Sequence, residues 1–81
     1  EENNRDRIEL ITNNPQKTCT IFDQRGLTAY KLVEDDKFYI YQGTEKIDRI
    51  ITMLKDMDIK IDYISVHEAS LEDYYMNLSK N

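Results

Sequence analysis

The sequence has few of the residues that build cross-linked, metal-bound or membrane-embedded folds. One cysteine and one histidine exclude an internal disulfide and a structural zinc site. It contains neither a signal-peptide core nor an apolar run near the ~20 residues needed to span a bilayer. With only two glycines and one proline among 81 residues, the composition indicates a small globular domain, and a reducing, cytoplasmic compartment is the expectation.

The chain also lacks a phosphate-binding loop. Gly26 and Gly43 are its only glycines, and neither leads into the Lys-Ser/Thr pair of a G-x-x-x-x-G-K-[ST] motif. Nucleotide hydrolysis by these residues alone is therefore excluded, and we expect neither enzyme activity nor a bound cofactor or metal. The formal net charge of −5 opposes binding to nucleic acid or anionic lipid, since both need clustered lysine and arginine.

Three local features have both a chemical and a structural interpretation. His67 beside Glu68 suggests an acid–base pair, but no nucleophile accompanies it, so we expect an exposed or half-exposed histidine before a helix. Cys19 shares a predicted helix face with Phe22 and is expected to be a buried, unreactive thiol. The acidic run 34–36 lacks the spacing of a calcium loop and is typical of a solvated turn.

The first half of the chain predicts a strand, a helix and a β-hairpin. Residues 1–7 are polar and resemble the end of a linker, and a first strand is expected over 7–12. Asn14 and Pro15 suit the N-cap and first position of a helix that ends at Gly26. Strands over 27–33 and 38–41 flank a polar turn, which predicts an antiparallel hairpin.

The second half adds a helix, a strand and a further helix. A helical stripe reaches Met57, with Thr44 as N-cap; its members are Ile47, Ile50, Ile51 and Leu54. A fourth strand is expected over 59–66, with a bulge or a late start, because its alternation slips phase between Ile61 and Ile64. Residues 8–81 thus predict one α+β domain: a ferredoxin-like βαββαβ antiparallel sheet with an added C-terminal helix.

Tyr39 and Tyr41 are expected on the sheet face opposite Phe38 and Ile40. In RNA-recognition modules of this topology, aromatic residues on that face stack against bases. Here the first strand offers Glu9 instead of an aromatic residue, and the basic-glycine-aromatic pattern is missing, so no nucleic acid is expected. We predict that Tyr39 and Tyr41 cover the open sheet face or contact the C-terminal helix.

Residues 70–78, with the sequence SLEDYYMNL, form the most specific motif in the chain. Ser70 and Asp73 make an S-x-x-D capping box, and Glu72 adds negative charge at the helix start. An apolar stripe at helical spacing follows, formed by Leu71, Tyr74, Tyr75 and Leu78. This stripe is a candidate interface that packs within the domain or on a partner.

The same segment resembles the (P)SLED-(V/Y)-F-x-x-L ending of many ABC-transporter ATP-binding subunits. The wider pattern resembles the accessory domain that follows the nucleotide-binding domain in drug-, bacitracin- and lantibiotic-resistance exporters. Residues 47–54, 58–61 and 70–75 match its helix, its gI-x-I strand and its SLED helix in order. Ala69 and Tyr75 replace the usual proline and phenylalanine and keep their helix-start and apolar roles.

The resemblance implies a non-catalytic regulatory or structural domain at the C-terminal end of a longer ATP-binding subunit. Its expected partners are the preceding nucleotide-binding domain, a second copy and, through the parent protein, a permease that exports a peptide antibiotic or drug. ATP and Mg would belong to the parent. The expected location is cytoplasmic, at the inner face of the cell membrane, with no direct membrane insertion.

Two other functions occur on this topology. A stand-alone ACT-like sensor of small molecules usually carries a glycine after the first strand, and the loop 12–15 has none. An acylphosphatase-like enzyme needs an arginine-bearing phosphate loop there, where Lys17 is the only basic residue. The sensor, or a protein-interaction module, therefore stays as the alternative.

Overall fold

The computed structural model of the protein describes residues 6–42 and 47–68. The elements follow the predicted β-α-β-β-α-β order. They are β1 (Arg7–Thr12), α1 (Pro15–Gln24), β2 (Tyr30–Val33), β3 (Lys37–Ile40), α2 (Ile47–Asp56) and β4 (Ile61–His67). The predicted Thr44 cap and the predicted helix from Leu71 lie outside the described residues.

The four strands form one antiparallel sheet in the order β2-β3-β1-β4, which confirms the α+β, ferredoxin-like prediction. β3 begins at Lys37, one residue earlier than expected, and pairs with β2 through a three-residue turn. Glu34 and Asp35 in this turn have φ values of 53° and 73°. Consecutive left-handed residues suit a tight hairpin because they match the twist of its strands.

The core lies between the sheet and the two helices. Ile8 and Leu10 of β1 and Phe38 and Ile40 of β3 are fully buried. Because strand side chains alternate, these four residues share one face of the sheet. The helices cover this face with Ile21, Phe22, Ile50 and Leu54. Both crossover helices therefore pack on the same side, as predicted.

The limits of α1 follow from its flanking residues. The Asn14 side chain accepts a backbone hydrogen bond from the first turn at 3.1 Å, and Pro15 takes the first helical position. At the other end Gly26 has φ 76°, and the N–H of Leu27 donates to the carbonyl of Phe22 at 2.9 Å. This is a Schellman motif, and it confirms the predicted cap and stop.

Helix α2 ends in the same motif without a glycine. The N–H of Ile59 donates to the carbonyl of Leu54 at 2.9 Å, and that of Asp58 donates to Lys55 at 3.1 Å. Asp58 takes the left-handed position with φ 59°. Ile59 and Leu54 are both buried, so the hydrophobic contact that accompanies this motif belongs to the core.

Two strands begin after the first residue of their predicted range. β2 begins at Tyr30 instead of residue 27, and β4 begins at Ile61 instead of residue 59, in agreement with the late start expected as one alternative for β4. Leu27 and Ile59 donate their N–H groups back to the preceding helices. The next two N–H groups after Leu27 donate to the side-chain oxygen of Gln42 at 3.1 and 2.9 Å. These N–H groups are used in helix caps and side-chain hydrogen bonds, so the pairing of the strand with its neighbour begins only after them.

The predicted irregularity in β4 is a bulge. Ile11 of β1 pairs with Tyr63, while Thr12 pairs with Ile61, so Asp62 is the extra residue. The bulge resets the alternation of β4, and Ile61 packs partly against the core. Slipped periodicity in the sequence therefore corresponds to a real register shift.

A buried hydroxyl pair joins β1 to α1. Thr12 and Thr18 are 3% and 0% exposed, and their hydroxyl oxygens lie 2.9 Å apart. The hydroxyl of Thr18 donates to the carbonyl of Asn14 at 2.8 Å, which leaves Thr12 to donate to Thr18. The pair is satisfied within the core and fixes the first turn of α1 against the end of the strand.

Three aromatic rings pack where α1 meets the hairpin. The centroids of Phe22, Tyr30 and Phe38 lie 5.3 to 5.8 Å apart in edge-on or tilted arrangements. The Tyr30 hydroxyl donates to Asp23 at 2.9 Å. Burial first, and then hydrogen bonds with Asp23 and Cys19, raise the pKa of Tyr30 well above its ordinary value. Cys19 is half-buried beside this cluster, which corrects the expectation of a buried thiol.

Replacing the two left-handed cap residues should change stability in opposite directions. Gly26→Ala should lower the free energy of unfolding by about 1 kcal/mol, because an alanine is strained at positive φ. An added Cβ at Gly26 meets nothing within 4 Å, so the cost is conformational. Asp58→Gly should raise stability by about 0.5–1 kcal/mol for the converse reason. Urea unfolding followed by circular dichroism measures both, and a destabilised Asp58→Gly would contradict this account.

Tyr30 should make the fold sensitive to alkaline pH. Because its folded-state pKa is raised, the hydroxyl stabilises the fold below its ordinary pKa and loses that contribution as pH rises above about 10. Tyr30→Phe should cost about 1 kcal/mol at neutral pH, through the lost hydrogen bond, and should flatten the alkaline decline. Urea midpoints between pH 7 and pH 11 test this. The exposed Tyr63→Phe is the control, and an equal flattening there would contradict the assignment.

Candidate functional site

The side of the sheet opposite α1 and α2 carries most of the polar and aromatic side chains of the strands. Strand register and alternation place eleven residues on this side, which we call the open face. Its members are Arg7, Glu9, Ile11, Lys31, Val33, Lys37, Tyr39, Tyr41, Tyr63, Ser65 and His67. The open face is the candidate functional surface of the described residues because it combines charges, aromatic rings and apolar side chains.

A buried carboxylate lies at the centre of the open face. Glu9 on β1 is only 7% exposed. Its Oε2 accepts a hydrogen bond from Nε of Arg7 at 3.0 Å and lies 2.9 Å from Nη2 of the same guanidinium. The Nε2 of His67 lies 3.4 Å from the same oxygen. Burying a carboxylate requires such partners, because an isolated charge away from water is strongly unfavourable.

Three tyrosines share the open face with this ion pair. Tyr39 lies directly across from Glu9 on β3, and the Arg7 guanidinium carbon is 4.8 Å from the centre of its ring. Tyr41 follows two residues later and is half-buried. On the β4 side, the Tyr63 hydroxyl lies 3.0 Å from that of Ser65. The predicted position of Tyr39 and Tyr41, opposite the buried Phe38 and Ile40, agrees with this arrangement.

Sequence reasoning found His67 but missed its partner. Glu68 follows it in the chain and is exposed, whereas the carboxylate beside the imidazole belongs to Glu9. The signal was the pairing of β1 with β4, which sets Arg7 opposite His67. Carboxylate, guanidinium and imidazole form a polar cluster that can bind polar groups.

The remaining candidates do not add to this site. Cys19 and its neighbour Tyr30 lie on the opposite side of the sheet, packed against the core. The acidic turn 34–36 is exposed at the tip of the hairpin. Within 6–42 and 47–68, no three His, Cys, Asp or Glu side chains converge as a metal site would require. Leu71, Tyr74, Tyr75 and Leu78 of the predicted interface lie outside the described residues.

A second surface feature lies on the helix side of the sheet. A groove of about 400 Å³ runs between the end of α2 and the start of β4. It is lined by Ile51, Lys55, Ile59, Lys60, Ile61 and Ile64. Aliphatic walls with two lysines suit an apolar side chain and carry no catalytic group. No helix in the described portion is long and apolar enough to cross a membrane.

Comparison with known proteins finds a relative among ABC-transporter ATP-binding proteins. The chain is 29% identical over 76 residues to the uncharacterized ABC transporter ATP-binding protein YcbN of Bacillus subtilis (strain 168). The similarity covers 93% of this chain and 25% of that protein. The chain therefore spans about a quarter of the length of this relative and is similar to part of an ABC-transporter ATP-binding protein. No family model and no solved structure matches the chain.

Neutralising the buried carboxylate should be costly. Glu9→Gln keeps the size of the side chain but removes the charge that offsets Arg7, which is itself only 15% exposed in its side chain. We expect a loss of about 2 kcal/mol in the free energy of unfolding. Asp62→Asn is the matched control, because the Asp62 side chain on β4 is exposed. This variant should change the free energy of unfolding by less than about 0.5 kcal/mol.

A double variant tests whether the loss in Glu9→Gln comes from the unpaired charge of Arg7. Glu9→Gln combined with Arg7→Met should recover part of the loss, since removing both charges leaves no unpaired one. Chemical denaturation of the wild type, Glu9→Gln, Arg7→Met and the double variant measures the coupling. Equal losses in Glu9→Gln and Asp62→Asn would show that the ion pair contributes no stability.

Proposed function

We propose that the chain is a non-catalytic accessory domain of an ABC-transporter ATP-binding subunit and follows the nucleotide-binding domain of that subunit. The similarity to YcbN supports this most directly, because it includes nearly all of this chain but only a quarter of the relative. A domain joined to a longer protein would match in this way, with almost its whole length covered and only a small part of the relative. The ferredoxin-like sheet agrees with a separately folded unit, since its core closes within residues 8–59.

The composition of the chain supports a non-catalytic role. Its sequence has no Lys-Ser/Thr phosphate loop, and its net charge of −5 is unfavourable for a triphosphate. ATP and Mg would be bound by the preceding nucleotide-binding domain of the parent protein. The accessory domain would instead regulate or support that domain through a protein surface.

The SLED segment refines the proposal. Its likeness to the ends of drug-, bacitracin- and lantibiotic-resistance exporters favours a parent that exports a peptide antibiotic or a drug. Such a parent would work at the cytoplasmic face of the membrane and contact a permease. A second copy of the chain is a further proposed partner, because the domain would assist dimerisation of the parent subunits.

The loop after β1 weighs against a stand-alone sensor of the ACT type. In that class the ligand approaches the backbone of this loop. Here the N–H of Asn13 donates to the carbonyl of Lys60 at 3.1 Å, and the Asn13 side chain accepts from the Lys60 N–H at 3.2 Å. Asn14 is engaged as the helix cap. The loop groups that would bind an amino acid are occupied within the protein.

Two measurements test the proposal. The gene upstream of the codon for Glu1 should encode, in frame, a nucleotide-binding domain with a phosphate loop. Calorimetric titration of these 81 residues with Mg-ATP should show no binding at micromolar concentrations, because the chain has no phosphate cradle.

Each measurement has an outcome that contradicts the proposal. A start codon just before Glu1 would make the chain a separate protein. Micromolar affinity for ATP would give it a nucleotide site of its own. An amino acid that raises the melting temperature by several degrees would favour the sensor, because a ligand of the folded state stabilises it by mass action.

A further inference from the structure

The open face is the one side of the sheet that neither described helix covers. Both α1 and α2 pack on the opposite side, around Phe38 and Ile40. The open face nevertheless carries half-buried apolar residues, including Ile11, Val33 and Tyr39. A sheet face of this composition is typical of a surface that packs against another element.

The chain leaves the sheet beside this face. β4 is an edge strand, and its last residue, His67, points its ring toward Glu9 on the open face. Residues 69–81 follow, and they include the apolar stripe of Leu71, Tyr74, Tyr75 and Leu78. A helix over 71–78 would be about 12 Å long. Crossing from β4 over β1 to β3 requires about 10 Å, so the segment has the length that this path needs.

Charge also matches the segment to the open face. The cationic residues of this face are Arg7, Lys31 and Lys37, in a chain whose net charge is −5. Glu9 is the single carboxylate among its defined members. The segment carries Glu72 and Asp73 in its first turn, which would lie over a predominantly positive surface.

We propose that residues 69–81 dock on the open face as a third layer, with the stripe Leu71, Tyr74, Tyr75 and Leu78 packed against Tyr39 and Ile11. The tether through Glu68 favours this occupant over a second copy, because a short linker gives an effective concentration in the millimolar range. The groove beside α2 is a poorer site. It lies on the helix side of the sheet, whereas His67, the last residue of β4, faces the open side; its lining residues Ile64 and Ile61 are about 10 and 20 Å from His67 at strand spacing.

A double-mutant cycle in the full chain tests the contact. Tyr39→Ser on the open face and Tyr74→Ser in the segment should be coupled by about fivefold or more in the unfolding equilibrium constant. Leu32→Ser is the control, because Leu32 is 42% exposed and lies on the helix side of the edge strand β2. It should combine with Tyr74→Ser additively, within about twofold. Additivity of Tyr39→Ser with Tyr74→Ser would overturn the proposal.

Photo-cross-linking in the full chain identifies the occupant. A benzophenone amino acid at position 74 or 75 should form intramolecular links to open-face residues such as Tyr39 and Lys37. Mixing unlabelled and nitrogen-15 protein separates links within one chain from links between two. Links between chains would show that the open face is occupied by a second copy instead of the segment of the same chain, and they would overturn the proposal. Links to α2 or to Ile61 and Ile64 would place the segment in the groove and overturn it as well.

Discussion

The two-sided character of β1 is the constraint on which the rest of the structure depends. β1 lies between β3 and β4 and is paired along both of its edges. Ile8 and Leu10 face the helices and are fully buried. Arg7 and Glu9 face the other way and form the ion pair. Because alternation is strict within the strand, the hydrophobic core and the polar cluster are fixed by the same six residues.

The helix ends determine where the other strands can begin. Each helix closes with a Schellman motif whose hydrophobic member, Leu27 or Ile59, enters the core before the chain extends. The order of elements, the limits of α1 and the bulge in β4 could be predicted from Asn14, Gly26 and slipped alternation. The late start of β2 could not, because it depends on backbone hydrogen bonds that have no residue signature. At α2 the left-handed cap is Asp58, so no glycine marked it.

The candidate site was only partly predictable for a different reason. Alternation alone places Tyr39 and Tyr41 opposite Phe38 and Ile40, and the structure agrees. The contact of His67 with Glu9 joins residues far apart in sequence, and it requires the β1–β4 register to be known. Local sequence favoured Glu68 because it is adjacent, yet adjacent strand residues point to opposite faces. Patterns within one element were therefore informative, and contacts between elements were not.

The buried ion pair also explains how a small sheet keeps one register. A shift of β1 by one residue would move Glu9 to the side of Phe38 and Ile40, where a carboxylate has no partner. The same shift would expose Ile8 and Leu10. Because both errors are unfavourable together, β1 specifies its pairing with β3 and β4 without help from a long hairpin.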